Sequence, residues 1–350
     1  MSTTPTVALL AGVGSCVAGS LHAVRNHPEA RRTLDEIDRS VQHIPLGGTV
    51  SDLLLREPGS SPVLSEPRHE LLLHLSSLAQ GLTIFRMVAP RCGSDPMLLL
   101  GHSLGEVTAL AAAGVVTAQD AAALLVACAR ARAAHGSPSG ALLALRQPVD
   151  ATRRLLAAVD RPGLAIACTN SPTQTVVSGP ASSVTGLLDH ARERGVTCTL
   201  LKTGFLFHSQ LLAPVAATVL ATAEHIPFEP PTHPIFSPLF GRICLGVEEL
   251  RQTLIHHLLH PVPFDAAIRS LHAAGAHRFL ECSPRPLLAP FVRAHAPEST
   301  VVVPMRTGWD FPQVVAALAT HGFPQADPFR LADVRPAPSD LPVPLTRERP

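Results

Sequence analysis

The feature that most constrains this chain is a five-residue turn set between an apolar strand and a helical stretch. Pro96-Met-Leu-Leu-Leu100 reads as a buried strand, Gly101-His102-Ser103-Leu104-Gly105 follows it, and an alanine-rich helical region broken by Gly114 runs on through 121–134. The turn fits G-x-S-x-G, in which a sharp strand-to-helix bend holds a serine in a strained conformation with its oxygen exposed. Glycines on either side let neighbouring backbone come close. The serine also sits at a helix N-terminus, where free N–H groups stabilise an oxyanion. Ser103 is therefore expected to be a nucleophile. Thr6-Val-Ala-Leu-Leu10, stopped by Gly12-Val13-Gly14, is a second buried strand ending in a glycine-rich turn.

Composition narrows the classes of partner. The 350 residues are 46% hydrophobic and 16% charged, with a mean hydropathy of +0.24. A large core is readily built and wholesale disorder is excluded. Net charge is +1, so nothing electrostatic points to nucleic acid or an anionic membrane. Lys202 is the only lysine, and 34 prolines, 18 histidines and no tyrosine indicate a GC-rich coding bias. Under that bias a single Arg, Pro, Ala or His says little.

Seven scattered cysteines with no CxxC pair suggest neither disulfides nor a cysteine zinc site, and a cytoplasmic location is expected. The N-terminal residues have no basic stretch ahead of a short apolar run, unlike a secretion signal. No apolar stretch is expected to reach bilayer-spanning length.

Helical patterning covers 21–41 and 71–87, with a Gly/Pro/Ser-rich surface loop around a short helix between about 45 and 67. The middle of the chain changes character. Strands at 140–145, 164–168, 174–178 and 197–201 alternate with helices at 149–159 and 182–194. That βαββαβ order is the split βαβ pattern of a ferredoxin-like subdomain. It reads as an insertion, because α/β material resumes with helices at 211–225, 248–257 and 264–274 and a strand at 278–281.

A nucleophilic serine needs a base. His102 is adjacent, but its side chain on such a turn points away from the serine, which makes it a positioning or pocket group. His208, in Phe205-Leu206-Phe207-His208, stands where the chain returns from the insert, a place from which a side chain reaches a cleft. With 18 histidines, His208 taken alone reads more readily as an ordinary core or surface residue. His256, His257 and His260 cluster on a helix but lack a carboxylate at metal-ligand spacing, so no metal is expected.

The sequence resembles the malonyl-CoA:acyl-carrier-protein transacylases and the acyltransferase domains of polyketide synthases. The resemblance is carried by Gly101-His-Ser-Leu-Gly-Glu106, Leu110-Ala-Ala-Ala-Gly114, Asn170-Ser-Pro-Thr-Gln-Thr-Val-Val-Ser-Gly179, Phe207-His-Ser209, His260-Pro-Val-Pro-Phe264 and Phe279-Leu-Glu-Cys-Ser-Pro284. It implies an α/β fold: a hydrolase-like large domain with a parallel sheet, at 1–138 and 204–323, and an inserted ferredoxin-like small subdomain at 139–203. A Pro-rich tail at 324–350 completes the expected division. It also implies a ping-pong mechanism in which Ser103 attacks an acyl thioester with His208 as general base. A backbone carbonyl near His257 would orient His208, and the N–H groups of Leu104 and Val13 would form the oxyanion hole. The resemblance further implies no bound cofactor, with acyl groups arriving on CoA or on the phosphopantetheine arm of a carrier protein.

Two departures from the family bear on the substrate. Extender-unit transacylases pair an arginine with the free carboxylate of malonyl, but the position 25 residues after Ser103 is Cys128. Arg130 lies roughly 200° round the helix from there, while Arg132 is one turn further along the same face and stays open as a substitute. In the first loop Val13 replaces the family's usual glutamine, and Phe205-Leu206-Phe207 replaces its usual tripeptides. Val13, Cys128 and Leu206 at the acyl pocket, beside His102, Arg132, Phe207 and His257, predict a neutral, non-carboxylated acyl group.

Three functions follow: a transacylase loading a starter, aminoacyl or peptidyl-type group onto a carrier protein, an editing hydrolase using the same pair, or a non-catalytic carrier-protein-binding module. Carrier proteins are acidic, so Arg153, Arg154, Arg192 and Arg194 on the insert helices are candidates for a docking patch.

Overall fold

The computed structural model describes residues 6–59, 69–93, 97–136, 139–201, 203–306 and 308–321; the Pro-rich segment expected at 324–350 lies outside them. In chain order the elements begin with β1 (Thr6–Leu10), α1 (Pro28–Val41), α2 (Val50–Leu55), α3 (Glu70–Val88), β2 (Leu98–Gly101), α4 (Gly105–Ala112) and α5 (Ala118–Ala134). The insert follows as β3 (Gly140–Leu145), α6 (Val149–Val159), β4 (Ala165–Ser171), β5 (Gln174–Pro180), α7 (Ala181–Glu193) and β6 (Cys198–Leu201). The chain continues with α8 (Ala213–Ala223), β7 (Ile235–Ser237), β8 (Arg242–Cys244), α9 (Val247–Leu259) and α10 (Phe264–Ala273). It closes with β9 (Arg278–Glu281), α11 (Ala289–His295), β10 (Thr300–Val302) and α12 (Phe311–Thr320).

Continuous apolar runs suit strands covered on both faces, and β1 and β2 take the middle of a six-stranded sheet of order β10-β9-β1-β2-β7-β8. Five strands are parallel; β8 pairs antiparallel to β7 at one edge. A separate antiparallel sheet of order β4-β5-β3-β6 carries α6 and α7, the strand order of a ferredoxin-like unit. The small sheet meets the large domain where Cys168 of β4 bridges Val262, in the segment between α9 and α10.

Helix α1 begins later than the periodicity suggests. Pro28 occupies its first turn, where the missing N–H is harmless, and a single 3-10 turn at His22–Val24 precedes it. The expectation about bilayer-spanning length needs correction. Residues Glu70–Arg91 are long and apolar enough to cross a bilayer, but 83% of their 18-residue apolar window is buried inside the molecule. A helix apolar on every side is a core helix when other helices surround it, and α3 packs against α1, α2, α4 and α5.

Candidate active site

Ser103 sits between β2 and α4 with φ at 56°, in the left-handed region that L side chains avoid. Two close approaches enforce the bend. A Cβ on Gly105 would lie 1.9 Å from the Leu10 carbonyl oxygen of β1, and one on Gly12 would lie 2.5 Å from the His102 oxygen. The loop after β1 is thereby laid directly against the elbow, within reach of Ser103 and the Leu104 N–H. Among the described residues, neither the Leu104 nor the Val13 N–H donates to another group.

His208 also has a positive φ, 54°, and is 2% exposed. Its Nδ1 lies 2.7 Å from the His257 carbonyl oxygen and its Nε2 lies 2.9 Å from Ser103 Oγ. A carbonyl only accepts, so Nδ1 carries the proton and Nε2 is left to accept from the serine hydroxyl. Burial lowers the His208 pKa well below 6.5, and His257 and His102 push it the same way. The imidazole is neutral and ready to take a proton.

His102 turns from the serine, donating from Nε2 to Asn170 Oδ1 of β4 at 2.8 Å, and its ring meets Phe264 edge-on. Asn170 in turn donates to Gln174 Oε1 at 2.8 Å. His257 has a second neighbour that its sequence surroundings do not reveal: Glu106 Oε1 is 3.7 Å from its Nδ1. Burial raises the Glu106 pKa, with His257 opposing. His256 stacks on His260 and edge-on to Phe240, so the three histidines do not converge. The one trio of metal-ligand type among the described residues is His272, His277 and Glu298, with two of the three exposed.

Cys128 is half-buried, and burial raises its thiol pKa. Arg130 is exposed. Arg132 is instead 4% exposed, its guanidinium 4.4 Å from the Phe205 ring and 5.5 Å from that of Phe207. Its Nη2 is paired with Glu70 of α3. Leu206 is 1% exposed, within the main apolar core. Arg153, Arg154, Arg192 and Arg194 are all exposed; Arg153 is paired with Asp150, and Arg194 contacts His190.

Sequence reasoning missed Glu70, His74 and Gln80, all on α3. Gln80 ties down the loop after β1, accepting from Val17 N at 3.1 Å and Ser20 Oγ at 2.9 Å and donating to Ser15 O at 3.0 Å. The only available signal was polar residues in an otherwise apolar helix.

Residues 12–308 match the model of the acyl transferase domain family. The chain is 30% identical over 309 residues to the spectinabilin polyketide synthase system protein NorB of Streptomyces orinoci, covering 84% of this chain and 14% of that protein. It spans 16% and 11% of the fungal polyketide synthases that it also matches. A solved malonyl-CoA:acyl carrier protein transacylase of Xanthomonas oryzae is 26% identical with a TM-score of 0.77, covering 91% of this chain and 99% of that one. A malonyl-transacylase solved with its type II polyketide synthase acyl-carrier protein has a TM-score of 0.79 at 22% identity, covering 91% of this chain and 100% of that one.

Proposed function

The chain belongs to the acyl transferase domain family, and from that premise we propose that it moves a non-carboxylated acyl group from a thioester donor to a carrier-protein thiol. The donor is acyl-CoA or an acyl-carrier protein, the intermediate is acyl-Ser103, and the setting is polyketide-type biosynthesis in the cytoplasm. The observation that carries the reading is the 2.9 Å contact between Ser103 Oγ and a neutral His208 Nε2.

In the first half-reaction Ser103 Oγ attacks the thioester carbonyl as its proton passes to His208 Nε2. The Leu104 and Val13 N–H groups stabilise the oxyanion. As the C–S bond breaks, His208 returns the proton to the departing sulfur. In the second half the phosphopantetheine thiol gives its proton to His208 and attacks the acyl carbon. The C–Oγ bond breaks and the proton returns to Ser103. No metal or bound cofactor is needed for any step.

Two residues support the restriction on the acyl group. Cys128 offers no cation, and the guanidinium of Arg132 is already paired with the Glu70 carboxylate. A buried carboxylate without its own counter-charge is disfavoured by several kcal/mol, roughly. The test loads the enzyme with a propionyl thioester and chases the adduct with holo-carrier protein or buffer. Transfer faster than release to water supports the transferase; equal loss in both establishes an editing hydrolase. A protein that no acyl thioester labels would be a carrier-binding module.

A further inference from the structure

The side chains around Arg132 form a polar end-piece in an otherwise apolar region. Arg132 lies against Phe205 and Phe207, the two rings that immediately precede His208. His74 of α3 faces Phe207 at 5.9 Å between ring centroids, and its Nδ1 is 3.8 Å from Glu70 Oε1. Glu70, His74 and Arg132 are each buried, at 6%, 6% and 4% exposure. The Arg132–Glu70 pair cancels in charge, and burial pushes the His74 pKa to about 3, so that ring is neutral. Yet Arg132 Nε, Arg132 Nη1 and His74 Nε2 have no hydrogen-bond partner among the described residues. Buried polar atoms are rarely left so, and three on one cluster beside the catalytic loop, two of them guanidinium N–H donors, point to a ligand.

We propose that Arg132, held by Glu70, is a specificity-determining residue that hydrogen-bonds a neutral oxygen acceptor on the acyl chain, such as a ketone or amide carbonyl. This rests on the acyl-Ser103 reading and narrows its substrate class. A carboxylate would add an uncompensated buried charge to a neutral cluster, and an ammonium would face two N–H donors. A purely alkyl chain would leave the donors unpaired. A neutral carbonyl satisfies them without altering the charge.

The test measures initial rates of Ser103 acylation by intact mass, using pantetheine thioesters in matched pairs. 3-Oxohexanoyl and 5-oxohexanoyl are set against hexanoyl, N-acetylglycyl against pentanoyl, and malonyl is included. In the wild type, at least one ketone or amide probe should react about tenfold faster than its alkyl match, and its identity distinguishes ketone from amide recognition. Arg132→Met should bring that ratio close to one. Glu70→Gln, which leaves Arg132 uncompensated at nearly constant volume, should raise malonyl relative to hexanoyl labelling by about tenfold. This gain serves as the second readout if Arg132→Met does not fold. Equal rates for oxygenated and alkyl probes overturn the proposal while leaving the acyl-Ser103 intermediate standing. An unchanged malonyl ratio in Glu70→Gln overturns it as well. No adduct with any probe overturns both this proposal and the reading beneath it.

Discussion

Ser103 and His208 are two of the three non-glycine residues with positive φ among those described, the third being Asp160 at the end of α6. Each such residue costs about 1–2 kcal/mol, and the two meet at a single hydrogen bond. The serine was legible because its turn has a fixed spacing between strand and helix. His208 stood out among the histidines by its place where the chain returns from the insert, but only the family resemblance gave it a role, since its partner lies 105 residues away. Arg132 and Glu70 each left a trace in the sequence, but nothing there paired them across 62 residues of chain. Because the His208 pKa lies well below 6.5, acylation should not fall with a midpoint near pH 6.5; its acid limb belongs well below that value. A pH–rate profile of single-turnover acylation checks this, and half-loss close to 6.5 would refute a buried neutral base. Gly105→Ala should destabilise the fold by about 1–3 kcal/mol or more, because the new Cβ meets the β1 backbone and no flexible side chain can yield. Urea titration measures it.

Among the elements, the long apolar or amphipathic ones declare themselves in the sequence, and the three-residue ones do not. Strands β7, β8 and β10 have three residues each, too few for a period to show. They are strands only because neighbours in the sheet supply hydrogen bonds. Helix α3 was readable as a helix but not as the element that organises the site, since that role belongs to its few polar residues. Gln80→Ala would strip three hydrogen bonds from the loop carrying Val13. It should cost about 2–4 kcal/mol of stability and lower the acylation rate at saturating thioester, a kcat effect in place of a KM effect. Helices α6 and α7 expose Arg153, Arg154, Arg192 and Arg194, which we propose as a carrier-protein docking patch. Reversing the charge at Arg154 and Arg192 should raise the KM for holo-carrier protein several-fold while leaving hydrolysis of a small thioester unchanged; an unaltered KM removes the patch from the account.

At the scale of the whole molecule, burial of neutral histidines ties stability to pH. His74, His102 and His208 all have pKa values lowered by burial. The unfolded chain therefore binds protons below about pH 6.5 that the native state refuses, and stability falls as pH drops toward the native values. Between pH 7 and 5.5 His74 contributes about 1 kcal/mol of loss, and His102 and His208 add to it in the same direction. Glu106, with its pKa raised, acts in the opposite sense between 4.5 and its native value. Urea midpoints at the two pH values test the sum, and a flat profile would contradict the burial. The division into two sheets followed from the βαββαβ order, whereas the convergence of α3, α5 and the loop before His208 arises only on folding. We propose that this convergence sets the substrate class, and a direct competition between two acyl groups tests the proposal. The protein is exposed to an equimolar mixture of propionyl and malonyl thioesters and weighed intact, alongside Ser103→Ala. A propionyl adduct is expected on the wild type and none on the variant. A dominant malonyl adduct, or equal labelling of Ser103→Ala, would contradict it.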